Sequence, residues 1–204
     1  SMSIHLHKGD LPDGLDLGNA IAVDTETMGL NPVRDRLCLV QMSAGDGVSH
    51  LVQIPKTERG RLHEALRLKA LLENPSVLKI FHFARFDVAA LKAYLGVRCA
   101  PVYCTKIASK MTRSYTDRHG LKDLCKELLD VEISKQQQSS DWGSPDLTEE
   151  QLRYAASDVL YLHRLKAKLD PLLAREGRTE LAAACCDFLP ARGELALLGW
   201  EEPD

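Results

Sequence analysis

The sequence predicts an α/β layered domain with a mixed β-sheet. Period-two apolar alternation marks closely spaced strands in the first quarter of the chain, while later apolar residues recur at helical spacing. The element order that results, three strands, then helix, strand, helix, strand and further helices, needs a sheet with both antiparallel and parallel pairs.

Strands are expected at 20–26, 36–44 and 49–54, with Asn31-Pro32 and Gly45-Asp46-Gly47 as turns, which makes an antiparallel meander. After Pro55 the pattern becomes helical, with Leu62, Ala65, Leu66, Leu68, Leu71 and Leu72 leading to Asn74-Pro75. A strand over 77–83 runs into a helix over 84–95 that Gly96 can end. Pro101 confines the short strand 97–104 to an edge or an irregular position. Helices follow at 105–111 and 119–130, and a long one begins near Thr148, where Thr148 and Gln151 match a capping box. From Pro171 to Trp200 the sequence reads as one or two more helices ending in an apolar tail, Leu195 to Trp200, that packs back on the core or meets another subunit.

The 204 residues fit one domain, and 45% hydrophobic with 27% charged residues is ordinary soluble composition. No apolar run approaches the ~20 residues of a bilayer span and no charged-then-apolar leader opens the chain, so a cytoplasmic location is the expectation and a membrane partner is not. Ser1 before Met2 reads as a scar of tag removal. A net charge of −3 argues against coating of long nucleic acid, so any polyanion contact is local. The stretch with Lys106, Lys110, Arg113, Arg118, Lys122 and Lys126 is one candidate, and a solvated helix face is the competing reading. The six cysteines form no Cys-x-x-Cys pair, which disfavours zinc and redox motifs and leaves buried free thiols.

Asp24 and Glu26 stand two apart at the end of the first strand of the meander, hence on one face. Asp87 falls in the first turn of the helix that follows the strand at 77–83, and Tyr154 and Asp158 are four apart on the long helix, hence also on one face. If these segments converge, four acids share a cavity that only divalent cations make tolerable at neutral pH. Two-metal phosphoryl transfer calls for such a set of hard oxygen donors, with Mg²⁺ or Mn²⁺ as the ions. Tyr154 would orient the attacking water or help to deprotonate it.

Val23-Asp24-Thr25-Glu26-Thr27, His82-Phe83-Ala84-Arg85-Phe86-Asp87 and Tyr154-Ala155-Ala156-Ser157-Asp158, in this order, resemble the three motifs of the DEDD superfamily of 3′-to-5′ exonucleases in its tyrosine subtype. The histidine subtype would place His where Arg153 stands. Ser140-Asp141-Trp142 with Leu152-Arg153-Tyr154-Ala155 is similar to ribonuclease D catalytic domains, without the helical repeats that follow in those enzymes. Thr116 to Lys122 and Ile133 to Trp142 are similar to the short bacterial group called nanoRNase C. The resemblance implies a single ribonuclease H-like exonuclease domain over 1–204, a mixed sheet flanked by helices, with the tail near 188–204 as a possible subunit contact. It implies two divalent cations held by Asp24, Glu26, Asp87 and Asp158, hydrolysis of short RNA down to dinucleotides to nucleoside 5′-monophosphates, and a homo-oligomeric ring, an octamer.

By the same resemblance, Thr27, Gly29, Leu30, His82, Phe86, Trp142, Arg118, His119 and Lys135 are candidate substrate contacts. Leu30 would wedge against terminal bases, with core packing as the competing role. His82 would meet a sugar or phosphate, or simply be a satisfied strand-end histidine. Trp142 would stack on a base or pack internally, and Arg118, His119 and Lys135, with Tyr115, would grip a 5′ phosphate or a neighbouring subunit. Competing functions are a DNA-directed exonuclease and an inactive nucleic-acid-binding module. A phosphatase with an aspartyl nucleophile would want a second Asp where Glu26 stands.

Overall fold

The computed structural model describes residues 2–202; Ser1 and the last two residues of the tail lie outside the described residues. Six strands form one mixed sheet in the order β1-β4-β3-β2-β5-β6. They are β1 (Ser3–Lys8), β2 (Ala20–Thr27), β3 (Leu37–Ser43), β4 (Val48–Gln53), β5 (Leu78–Phe81) and β6 (Val102–Cys104). The β2-β3-β4 meander is antiparallel, whereas β1 on β4, and β5 and β6 beyond β2, pair in parallel. Helices cover both faces, which is the ribonuclease H-like arrangement that the motifs imply. Ile21, Ala22 and Val23 are therefore all fully buried, since a central strand with both faces covered needs apolar residues of either parity.

The helices are α1 (Leu66–Glu73), α2 (Ala84–Leu95), α3 (Thr105–Thr112), α4 (Leu121–Leu129), α5 (Glu149–Ser157), α6 (Leu162–Arg175), α7 (Thr179–Asp187) and α8 (Leu189–Leu197). One apolar cluster joins Ile21 and Val23 of β2 to Val88 and Leu91 of α2 and to Leu68 and Leu72 of α1. The opposite face carries two clusters. Ala22 and Ile80 pack with α3, α4 and α6, and Leu39 and Leu51 pack with Trp142 and Ala155. Helix α8 lies on α2, and Gly193 permits the crossing, because a Cβ there would stand 3.0 Å from Val88 Cγ1 and 3.3 Å from the Ala89 backbone nitrogen.

Four expectations are corrected. Strand β1 was not anticipated. It is an edge strand held by pairing with β4, a partner some 45 residues away that local pattern does not reveal. Helix α1 begins at Leu66 rather than near Leu62, which is left half-exposed in a loop, because the Asp10 carboxylate accepts from the amides of Arg67 at 3.0 Å and Leu68 at 2.8 Å and fixes the start from a distant segment. The long helix from Thr148 is two helices. Helix α5 opens with the expected capping box and ends at Ser157, Asp158 is its C-cap, and the amides of Val159 and Leu160 turn back to Ala156 and Ser157 before α6 begins. Pro171 opens no helix but lies inside α6, where it and Ala167, whose carbonyl loses its donor, are both exposed to water.

The cysteines are free, and all but Cys185 are buried. Among the described residues, no helix is long and apolar enough to cross a membrane. At the C-terminus, Arg192 donates to the carbonyls of Trp200, at 3.2 Å, and Glu201, which ties the backbone down while the side chains of Leu198 and Trp200 stay exposed.

Candidate active site

The C-terminal end of β2 is where the two layers meet. Asp24 and Glu26 follow Ala22 in alternation and face the α5/α6 side, while Thr25 follows Ile21 and Val23 toward α2. Antiparallel pairing sets Gln41 of β3 directly opposite Asp24. Its amide nitrogen lies 3.5 Å from Asp24 Oδ2 and 3.3 Å from Glu26 Oε1, donating to both carboxylates. A bulge between Glu26 and Thr27 ends the regular ladder just past them.

Helix α5 delivers Asp158 to this point. Ligand oxygens of Asp24, Glu26 and Asp158 lie within 4.8 Å of one another, and Asp158 shares a hydrogen bond with Asp24. Asp87 arrives from the opposite layer on the first turn of α2, where Thr25 Oγ1 donates to its carboxylate. All four acids line one cavity of about 340 Å³.

Their electrostatics are strained. Burial pushes the Asp24 carboxyl up to about 6 against the help of hydrogen bonds from Asp158 and Thr25. Glu26, Asp87 and Asp158 are held well above the usual carboxylate range, by burial first and then by the Asp24 charge. A buried cluster of this kind keeps protons unless cations compensate it. Its donors are oxygens without thiolate or imidazole among them, and the group therefore fits Mg²⁺ or Mn²⁺.

Tyr154 lines the same cavity one helical turn before Asp158. Burial, then Asp158, Glu26 and Asp24, raise its phenol far above the ordinary value, so at neutral pH it is a neutral hydrogen-bonding group and not a base. Trp142 is 2% exposed and packs on it, ring centroids 5.9 Å apart and planes tilted by 34°, with its indole N–H toward the Gln138 carbonyl at 3.5 Å. The indole is a wall for the Tyr154 ring and presents no open face to a base.

The other candidates separate. Leu30 is 88% exposed at the cavity mouth, which excludes core packing. Thr27 and Gly29 brace that turn: Thr27 Oγ1 donates to the Gly29 carbonyl at 2.5 Å, and a Cβ on Gly29 would collide with the Asp35 carboxylate. His82, Phe86 and Lys135 line the cavity. His82 sits with Nδ1 2.8 Å from Thr105 Oγ1, and burial together with Lys106 lowers its pKa to about 3, so the ring is neutral. Arg118 and His119 stand outside the cavity wall. Arg118 is exposed and gives its carbonyl to Arg113, while His119 is buried with Nδ1 2.7 Å from Ser109 Oγ.

Of the basic stretch, Lys106 and Lys122 reach the cavity. Arg113 is instead buried against Glu127, and Lys126 pairs with Asp130 and Glu132. Sequence reasoning passed over Thr25, Gln41 and Phe83. The Thr25 and Gln41 signals are strand parity and register, and Phe83 takes a left-handed backbone, φ +62°, at the turn into α2 with Lys106 4.1 Å over its ring.

A family model described as 3′-5′ exonuclease matches residues 11–174. Ribonuclease D of Acidiphilium cryptum is 32% identical over 163 residues, 80% of this chain and 40% of that protein. The chain thus spans about two-fifths of the length of such curated relatives. Among solved structures, Brucella melitensis NrnC with bound Mg²⁺ matches with a TM-score of 0.92 at 56% identity, over 100% of this chain and 98% of that one. The same Brucella protein bound to pGG matches at 0.93 and 57% over the same shares. Escherichia coli RNase D, an exoribonuclease involved in structured RNA processing, matches at 0.72 and 28% over 86% of this chain and 45% of that one.

Proposed function

The chain belongs to the 3′-5′ exonuclease family, and from that premise we propose that it hydrolyses short RNA from the 3′ end, down to dinucleotides, releasing nucleoside 5′-monophosphates. The observation that carries this reading is the convergence of Asp24, Glu26 and Asp158 within 4.8 Å in a cavity that Asp87 and Tyr154 also line. An inactive binding module would have no need to maintain so costly a group of buried acids.

Asp24, Glu26, Asp87 and Asp158 would hold two divalent cations, Mg²⁺ or Mn²⁺. Bound there, such a pair supplies an acidified water and charge stabilisation for the leaving oxygen. The protein's own residues do the rest. Tyr154, kept protonated and braced by Trp142, orients the attacking water through its hydroxyl. Gln41 and Thr25 hold the carboxylates of β2 and α2 in position. Lys106, Lys122 and Lys135 stand on the cavity wall and attract the phosphates. Leu30 offers an apolar surface to the terminal base, and the turn braced by Thr27 and Gly29 keeps it projecting into solvent. His82 and Phe86 complete the wall on which the terminal nucleotide rests.

The small cavity and the likeness to a protein solved with pGG support a short substrate. The exposed Leu198 and Trp200 support self-association, up to the octameric ring that the motifs suggest, and the same reading puts the enzyme in the cytoplasm.

The test is a time course on 5′-labelled RNA and DNA of two, seven and twenty nucleotides, with Mg²⁺, with Mn²⁺ and with chelator. Metal-dependent shortening from the 3′ end, fastest on the shortest RNA, is expected. Equal rates on DNA, or fastest cleavage of the longest RNA, would replace the short-RNA reading with a broader exonuclease, and no cleavage with either metal would end it.

A further inference from the structure

A second group of metal-ligating side chains stands on the sheet, with β3 between it and the carboxylate strand β2. His5 and His7 alternate with Ile4 and Leu6 along β1, so both imidazoles project from one face. The parallel register pairs His5 with His50 of β4, which puts the third imidazole on that face too. Ring centroids of His5 and His50 are 5.2 Å apart, those of His7 and His50 5.3 Å, and those of His5 and His7 6.5 Å. The close pair is His7 Nε2 and His50 Nδ1, at 3.0 Å.

Two nitrogens bound to one ion at about 2.0 to 2.1 Å, at angles between square and tetrahedral, lie roughly 2.9 to 3.4 Å apart. The His7 and His50 nitrogens, which share a hydrogen bond, already have that spacing, and an ion bound between them would displace the shared proton. We propose that His5, His7 and His50 form a binding site for an imidazole-preferring transition-metal ion of the Zn²⁺, Ni²⁺ or Cu²⁺ class, which clasps the N-terminal edge strand β1 to β4. His7 and His50 supply the close pair of ligands, and His5, exposed with Nε2 3.4 Å from Ser3 Oγ, has to turn toward them to become the third. Burial and neighbouring imidazoles hold His7 and His50 below the usual histidine range, which keeps them in the neutral, ligating form at pH 7. Nitrogen donors discriminate against Mg²⁺, so the site is chemically separate from the carboxylate cluster. An edge strand hydrogen-bonded on one side only is also the element of the sheet that gains most from such a clasp.

The experiment titrates the full chain with Zn²⁺ in excess Mg²⁺, follows binding by calorimetry and observes the imidazoles by ¹H–¹⁵N correlation spectroscopy. One Zn²⁺ per chain is expected, moving the His5, His7 and His50 signals and leaving those of His82 and His119 in place, with a higher melting temperature. His7→Ala should weaken binding at least tenfold. The pair His5→Ala/His7→Ala, both on the edge strand away from the core, should abolish the thermal gain while the Zn²⁺-free melting temperature stays near that of the parent. Zn²⁺ uptake unchanged in the double variant, uptake that leaves the three histidine signals unmoved, or no uptake at all would each overturn the proposal.

Discussion

Replacing Asp24 by Asn should stabilise the metal-free protein while abolishing cleavage. The Asp24 carboxyl is raised from 3.8 to about 6. The folded protein therefore holds this proton more tightly than the unfolded chain does, and stability is lost as pH rises between those two values. Above pH 6 the full shift applies, about 2 units, or roughly 3 kcal/mol at 1.36 kcal/mol per unit. Asp24 keeps part of its surface open to the cavity, so screening by water makes this an upper figure. Asn keeps the shape, has no charge to bury, and relieves Glu26, Asp87 and Asp158 of their Asp24 repulsion. For a domain near 200 residues, 3 kcal/mol is roughly 6 to 12 °C in melting temperature. The assay is thermal unfolding of both proteins in chelator from pH 3.5 to pH 8, repeated with saturating Mg²⁺. The variant should match the parent at pH 3.5 and exceed it at pH 8. Mg²⁺ should then raise the parent's melting temperature more than the variant's. A variant less stable than its parent at pH 8 in chelator, or a gain that does not change with pH, would refute the reasoning that the acids repel one another in a shared site.

Tyr154→Phe removes a hydroxyl that stays protonated at neutral pH, so turnover should fall by about 10²-fold or more while Mn²⁺ affinity by calorimetry is unchanged; parental turnover would take the phenol out of the reaction. Leu30→Ala touches an 88% exposed side chain, so stability should change by no more than about 0.5 kcal/mol while KM for short RNA rises. An unaltered KM would return Leu30 to the ordinary surface. Trp142→Ala empties a fully enclosed site and should cost about 3 to 5 kcal/mol in denaturant unfolding. Trp142→Phe, which keeps a wall for Tyr154, should recover most of both stability and turnover, and failure of that rescue would point to a direct role for the indole.

Side-chain parity was enough to put Asp24 and Glu26 on one face, and helical spacing enough to align Tyr154 with Asp158, because both are consequences of local backbone geometry. The α2 helix and its Gly96 end, the capping box at Thr148 and the meander were legible for the same reason. What required partners distant in sequence was not. The start of α1 belongs to Asp10, the place of β1 belongs to β4, and the break after Ser157 follows from how α6 must turn to pack on the sheet. Asp87 makes the point most clearly. Its position after a strand suggested a site residue, but only the stacking of α2 on the Val23 face, with Thr25 reaching to its carboxylate, brings it round the end of β2 to acids that project from the other layer. Sequence alone settled which chemical groups were available and which faces they took within each element. Tertiary packing decided the distances between elements, and with them the burial that turns four ordinary carboxylates into a cluster that cannot all ionise without compensating positive charge.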